Sequence, residues 1–402
     1  MRDVAVTGRL RDGPGDGRRA YLDHAATTPM DPEALDAMLP FLGAQFGNPS
    51  GGHAESRRAR LALDDARQRI AELLGADLGE LVFTSGGTEA DNLAVWGTGP
   101  EDSGPRRPAP RSLVCTAIEH HAVLEACRAR ARRTGAELRE VPAGKDGLVD
   151  LDALAEACTP EVGLVSVMAV NNEIGTVQPL ADVVSVVRDR APDALLHTDA
   201  VQAVAWLDVA DLCAGVDLVS ISAHKFGGPQ GVGALVVRDG VRLHPMLHGG
   251  GQERLRRSGT QNVAGIVGAA VALARATDRR DRTVARVGAL RDQLGDGLVA
   301  RVAGAVETGA RGDTVAGHLH LRFAGVESEA LVVLLDRCGV AVSAGAACSS
   351  GAVEVSHVLT AMGFDRDEAA SGIRFSLGAT TTSADVEHAL ATVPPAVAQL
   401  RD

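Results

Sequence analysis

The chain has 402 residues, 45% of them hydrophobic and 23% charged, an ordinary globular balance with room for two or three units sharing large apolar cores. A net charge of −12 argues against a general affinity for nucleic acid or anionic membrane, and no apolar run approaches the roughly 20 residues of a membrane span. Six scattered cysteines (Cys115, Cys127, Cys158, Cys213, Cys338, Cys348) form no C-x-x-C pair, which predicts neither structural zinc nor a disulfide framework and points to a reducing compartment, the cytoplasm.

Residues 1–20 hold five arginines and four glycines without an apolar core, which predicts a flexible tail rather than a secretory signal. Beyond it, strand-like runs at 80–84, 112–116, 163–168, 195–198, 218–222 and 233–237 alternate with helical stretches such as 57–74, 121–133 and 180–190. Near-continuous apolar strands separated by helices predict an α/β domain with a mainly parallel sheet. The stretch 96–111, rich in glycine, proline and charge, reads as an exposed loop. From Val263 a long helix leads into a strand at 318–323, a helix over 327–338, a short strand at 340–342 and a last helix capped near Ser383. These make a smaller α+β unit. The predicted division is a tail at 1–20, a large domain at 21–262 whose first residues pack with the small one, and a small domain at 263–402.

Ligands of such sheets gather at the carboxyl ends of the strands, and there the sequence collects its chemistry. The run 218–222 passes through Ala223 and His224 to Lys225, then into a glycine-rich loop at 226–233. A lysine there is partly stripped of water, which lowers its pKa and makes the amine a usable nucleophile. Another strand ends at Asp199, with Gln202 just beyond. A lysine able to form a Schiff base and an aspartate able to pair with a pyridinium nitrogen are what pyridoxal phosphate requires of a protein.

Thr84-Ser-Gly-Gly-Thr-Glu89 joins a strand to a helix whose first N–H groups suit a phosphate, with Ser222, His224 and Thr260 as further donors. His120, in Glu119-His120-His121, either stacks on a flat ring and moves protons or is a satisfied histidine. Asn171-Asn-Glu-Ile-Gly175 reads as amides that orient a ring oxygen or a carboxylate, or simply as a turn. Ser343-Ala-Gly-Ala-Ala-Cys348-Ser-Ser-Gly351, small and glycine-flanked, reads either as a mobile loop exposing one functional thiol or as a segment with a cysteine kept for packing. Arg374, inside the apolar run 373–378, needs either a substrate carboxylate or an internal salt bridge.

With these residues the chain resembles the pyridoxal-phosphate-dependent cysteine desulfurases, fold-type I enzymes of the class-V aminotransferase group, close to the housekeeping and nitrogen-fixation branch. The likeness runs from Tyr21-Leu-Asp-His-Ala-Ala-Thr-Thr-Pro29 to the final helix. It includes Phe46-Gly-Asn-Pro-Ser50, Arg257-Ser-Gly-Thr260 and Arg374-Phe-Ser376 beside the motifs above. The resemblance implies a seven-stranded, mainly parallel sheet in the large domain, a homodimer, and conversion of L-cysteine to L-alanine. The sulfur would stay as a persulfide for an acceptor protein of iron–sulfur cluster assembly or thiolation.

It implies Lys225 as the residue that carries the cofactor and moves the substrate Cα proton. It also implies His120 as the stacking ring and proton acceptor, Asp199 on the ring nitrogen and Gln202 on the phenolic oxygen. Gly87, Thr88, Ser222, Ala223 and His224 fall on phosphate-binding positions, with Thr260 reaching across from a neighbouring subunit. Asn172 falls on cofactor and substrate positions, Arg374 on the substrate-carboxylate clamp, and Cys348 on the nucleophile that becomes the persulfide. No resident metal is implied, only a transient contact of that persulfide with an acceptor cluster. His24 and Ala223 stand where relatives commonly carry other side chains, and the stretch 51–60 is about a residue short. Three other readings stay open: a selenocysteine lyase of the same fold, a lyase or transaminase in which Cys348 is incidental, and a non-catalytic sulfur-transfer scaffold.

Overall fold

The computed structural model describes residues 19–98, 112–345 and 355–402. Its chain starts with β1 (Ala20–Tyr21), a strap over residues 22–31, and helices α1 (Pro32–Leu42) and α2 (Ala54–Leu73). In α2 the buried residues Ser56, Ala59, Leu63, Ala66 and Ile70 recur every three or four positions, the stripe by which a helix docks on a core. Then come β2 (Leu81–Thr84), α3 (Gly87–Gly97), β3 (Ser112–Thr116), α4 (His121–Thr134), β4 (Glu137–Val141), α5 (Leu151–Ala157) and β5 (Val162–Ser166). They are followed by α6 (Leu180–Arg190), β6 (Leu195–Asp199), α7 (Val209–Leu212), β7 (Leu218–Ser222) and β8 (Gly233–Val237).

These strands form one seven-stranded sheet in the order β2-β8-β7-β6-β5-β3-β4. Pairing is parallel from β7 through β4, and β8 runs against both neighbours. The α/β fold with a mainly parallel sheet is therefore as expected from the sequence. Strands β2, β3, β7 and β8 are buried along their whole length, because helices cover both faces. Each fully buried Leu, Ile or Val side chain there contributes about 1.5–3 kcal/mol. The strand-like runs at 112–116, 218–222 and 233–237 match the observed bounds, whereas β4 has no counterpart among them. Its Glu137-Leu-Arg-Glu-Val141 sequence is half exposed at the sheet edge, so it lacks the apolar signature of its neighbours.

The 39-residue helix α8 (Val263–Arg301) spans about 58 Å. Early in it, Gly268 lies where a Cβ would strike Met38 of α1; late in it, a Cβ on Gly297 would strike Leu390. Assigned by sequence wholly to the small domain, this helix packs on α1 and α2 of the large one as well. After it come β9 (Ala305–Glu307), β10 (His318–Phe323), α9 (Ser328–Arg337), β11 (Val340–Ala341), α10 (His357–Ala361), α11 (Arg366–Ala370), β12 (Gly372–Ser376) and α12 (Ser383–Arg401), which carries Leu390. A three-stranded antiparallel sheet runs β12-β10-β9, and β1 pairs in parallel with β11. The N-terminus is thus stitched to the small unit and from there passes over the end of the large sheet.

Candidate active site

Lys225 sits in one turn of 3-10 helix directly after β7. Its Nζ donates to the carbonyls of Ala25 (2.5 Å) and Ala26 (2.9 Å) in the strap. Burial pulls its pKa down to about 8, helped by the Arg374 guanidinium and opposed by Asp199 and Asp23. At the end of the adjacent β6, Asp199 accepts Val201 N–H at 2.9 Å. Burial lifts its carboxyl to about 6, while that hydrogen bond and Lys225 act the other way. Gln202 Nε2 donates to Ala25 O at 2.9 Å, using one of its two N–H bonds.

His120 is the N-cap of α4: its Nδ1 accepts Ala122 N–H at 3.1 Å. The ring is open to the cleft, yet surrounding protein, Lys225, His121 and His357 hold its pKa down to about 4, so it is neutral. With Nδ1 committed as an acceptor, the neutral ring carries its proton on Nε2 and presents a donor. This works against the expected role of His120 as proton acceptor and leaves the stacking role intact. A ligand atom of His120, one of Asp199 and one of Asp91 lie within 4.8 Å of each other.

At the start of α3 no side chain caps Gly86. A Cβ on Gly87 would come 2.8 Å from Val201 Cγ2 and 3.5 Å from Ser222 Cβ, so Gly87 and Thr88 begin a helix packed directly against the ends of β6 and β7. Glu89 accepts Arg257 Nε at 2.7 Å, which ties the Thr84–Glu89 and Arg257–Thr260 motifs together. His224 Nδ1 lies 3.2 Å from Thr27 Oγ1. Ala223 departs from its expected phosphate contact: its N–H is spent on Val232 O at 3.0 Å. Thr260 stands exposed.

Arg374, on β12, is 5% exposed. It donates to Asn172 O (2.9 Å) and to Asp23 Oδ1 (2.7 Å), and its Nε has no partner. The internal salt bridge of the sequence reading therefore exists, and one buried donor is left over. In the turn before it in sequence, Asn171 rather than Asn172 does the structural work. Asn171 Oδ1 accepts the N–H groups of Glu173 (2.9 Å) and Ile174 (3.0 Å), and its Nδ2 donates to Ile118 O (2.9 Å). On the other side of Lys225 a cavity of about 220 Å³ opens between the strap and α8, lined by His24, Gln202, Trp206, Arg275 and His318 among others. Cys348 lies outside the described residues.

Residues 20–389 match the aminotransferase class-V family model. The chain belongs to this family. Within it, the chain is 44% identical over 387 residues to an IscS-like cysteine desulfurase of Mycobacterium tuberculosis, covering 95% of this chain and 97% of that one. It is 41% identical over 384 residues to the cysteine desulfurase IscS of Dictyoglomus turgidum, covering 96% of each. A solved NifS-like protein superposes with a TM-score of 0.87 at 36% identity, over 95% of this chain and all of that one. The chain is a member of the cysteine desulfurase branch of the class-V aminotransferases.

This class-V aminotransferase site also uses residues to which the sequence reading gave no role. In the strap, backbone carbonyls hold Lys225 and Gln202, Asp23 holds Arg374, and Ala25 N–H binds Ser376 Oγ at 2.8 Å. Glu119 is fully buried; it accepts Met168 N–H (2.8 Å) and Thr116 Oγ1 (2.9 Å), and burial with the Asp199 charge lifts its pKa to about 8. Asp91 is buried beside them, its pKa raised well above the usual range by burial and by Asp199. No sequence pattern marks either acid: Asp91 sits inside α3 between Glu89 and Asn92, and Glu119 follows β3 beside His120 and His121.

Proposed function

We propose that this protein is a cysteine desulfurase that converts L-cysteine to L-alanine, uses pyridoxal phosphate, and keeps the removed sulfur as a persulfide on Cys348. The observation that carries the reading is Lys225, a half-buried amine held by two strap carbonyls with its pKa pulled down to about 8, beside Asp199 and the buried Arg374 guanidinium. The residues suit the cofactor. Lys225 would hold it covalently, His120 would lie on its ring, and Asp199, ionised at neutral pH, would pair with the ring nitrogen. The uncapped start of α3 at Gly87 and Thr88, with Ser222 and His224, would take the phosphate, and the second N–H of Gln202 would meet the phenolic oxygen. Bound there, pyridoxal phosphate would supply an electron sink for the pair left at the substrate Cα.

The chain's own groups would do the rest. Arg374, its plane fixed by Asp23, would turn its spare Nε and the neighbouring Asn172 side chain toward the substrate carboxylate. Neutral Lys225 would take the Cα proton. His120 would stack and donate. Sulfur transfer needs no outside reductant: the Cys348 thiolate attacks the substrate sulfur, an S–S bond forms as the C–S bond breaks, and the bond's electron pair stays with the carbon that becomes the alanine methyl after protonation. An acceptor protein of cluster assembly or thiolation then collects the outer sulfur.

We read the working unit as a homodimer in which a second copy brings its Thr260 to the phosphate. Support comes from the exposure of Thr260 itself and of Met246, Leu247 and Leu255 on the same stretch of surface sequence. The five described cysteines are free thiols, four of them buried, which suits the reducing cytoplasm.

The test is a single turnover of purified protein with L-cysteine, followed by intact-mass spectrometry. A gain of about one sulfur atom at Cys348 together with alanine is expected. Cys348→Ala should keep the cofactor colour and lose the adduct. Alanine without any adduct would replace the reading with a lyase, and turnover of selenocysteine alone would replace the substrate.

A further inference from the structure

Residues 346–354 carry Cys348, and the chain on either side of them converges on one buried side chain. Glu173 is 2% exposed, and its backbone is fixed by its N–H bond to Asn171 Oδ1. On the upstream flank, Gly345 has φ +83° and packs so closely that a Cβ would stand 2.9 Å from Glu173 Oε2. On the downstream flank, Ser356 Oγ donates to the same Oε2 at 2.5 Å while accepting Leu359 N–H at 3.1 Å to cap α10.

Each flank has a second attachment. Arg374 N–H donates to Ser343 O (2.8 Å) and Ser343 N–H to Arg374 O (3.2 Å). His357 donates Nε2–H to Glu119 O at 2.9 Å and lies against His121, ring centroids 4.3 Å apart. The chain therefore leaves from the strand that bears Arg374 and returns to the strand end that bears His120. Glu173 is where the two flanks meet.

We propose that Glu173 is a positioning residue whose carboxylate clasps both flanks of the Cys348-bearing segment and sets where the thiol is delivered. The functional half of this rests on the desulfurase reading. Three residues separate Cys348 from Gly345, a length of chain that reaches at most about 11 Å. A shift of the Gly345 anchor thus displaces the whole range open to the thiol. A carboxylate suits the task because it accepts from Ser356 at the very oxygen against which Gly345 is packed, and only a glycine fits there.

The test compares cofactor-loaded wild type with Glu173→Ala, Ser356→Ala and the double variant. The absorbance change on adding L-cysteine should keep its half-saturating concentration within about twofold. Sulfur gain at Cys348 in a single turnover should slow about tenfold or more in each single variant, and little further in the double, because the Ser356–Glu173 bond is lost in both. Glu173→Gln, which keeps an acceptor oxygen, should recover most of the rate. The rate of Cys348 alkylation by iodoacetamide in the resting protein should change in the same variants, a readout that needs no turnover.

Unchanged sulfur gain in both single variants would overturn the proposal. So would losses that multiply in the double variant, or a half-saturating concentration that rises in step with the rate loss; the last would locate the effect in the turn that holds Arg374. If the wild type gains no sulfur while alkylation still responds to the variants, the clasp stands and the desulfurase reading falls. Ser356→Ala lies on a separate element, so the question stays answerable if Glu173→Ala fails to fold.

Discussion

Lys225 donates to two carbonyls, and a neutral amine has the two N–H bonds to satisfy both while keeping its lone pair free. An ammonium would carry a third proton into a site where burial and Arg374 already penalise charge. The strap carbonyls therefore suit the reactive form of the lysine and aim it. A consequence is visible in cofactor capture. The rate at which cofactor-free protein takes up pyridoxal phosphate should rise about tenfold per pH unit below 8 and level off above it, as the neutral fraction saturates. Arg374→Gln removes a charge that lowers the Lys225 pKa, so the break should move to higher pH. Stopped-flow absorbance across pH 6–10 reads both; a wild-type profile still climbing through pH 10 would mean that the amine is not perturbed at all.

At the scale of elements, the stretch 251–262 shows how a loop can be built against its own backbone preferences. Glu253, Arg254 and Leu255 have φ of 50°, 56° and 67°, three successive non-glycine residues in the left-handed region, each costing about 1–3 kcal/mol. What holds them is the Glu253 carboxylate, buried to 6% exposure. It accepts two bonds from Arg67 (2.7 and 2.8 Å), one from Phe83 N–H (3.1 Å) and one from Gln261 Nε2 (3.2 Å). Glu253→Ala should lower unfolding stability by about 3–5 kcal/mol in urea titrations, the cost of breaking a buried ion pair on one side. The variant should also lose cofactor faster on dialysis, since Arg257 in the same loop braces α3 through Glu89. A loss under 1 kcal/mol would show that the backbone holds this geometry without the carboxylate.

This loop marks the limit of what sequence can say. Strands such as Leu218–Ser222 are legible because burial on both faces makes them continuously apolar, and Lys225 and Asp199 are legible because they terminate such strands. Glu253 follows no periodicity; its partners lie 8, 170 and 186 residues away. The strap and the Glu173 clasp escape for the same reason, being defined by long-range polar contacts rather than by a repeating pattern, while β4 escapes because its half-exposed edge position leaves it no apolar run.

Taken as a whole, the molecule buries many groups in their uncharged forms, and their balance governs how it responds to acid. Burial lowers the pKa values of His24, His120 and His224 to about 4, and of His197, His318 and His320 to about 3; His357 is lowered too. Unfolded, each would titrate near 6.5, so below that pH the unfolded chain binds the extra protons and stability present at neutral pH is lost as pH falls. Four buried carboxyls work in the opposite sense. Glu119, Asp199, Asp91 and Glu173 have raised pKa values, so the folded chain takes up their protons at higher pH than the unfolded chain does, and each adds stability as pH falls through its folded pKa, about 8 for Glu119 and about 6 for Asp199.

From pH 8 down toward 7 the carboxyl effect, led by Glu119 near 8, outweighs the last of the opposing Lys225 effect and the first protons taken up by the unfolded imidazoles, so stability should stay level or rise slightly. Below 6.5 the seven imidazoles outnumber the four carboxyls, and the sign reverses. Stability should then drop by about 1.4 kcal/mol per pH unit for each net proton the unfolded chain takes up. Urea midpoints of cofactor-free protein should accordingly peak near pH 6.5 and fall steeply by pH 5. In His318→Gln/His320→Gln, which removes two imidazoles whose protonation is opposed by burial and by the facing Arg374 guanidinium, the acid slope should flatten by up to about 2.7 kcal/mol per unit. A midpoint that stays level from pH 7 to pH 5 would mean that these imidazoles gain protons without unfolding, and that the interior around β10 is open to water.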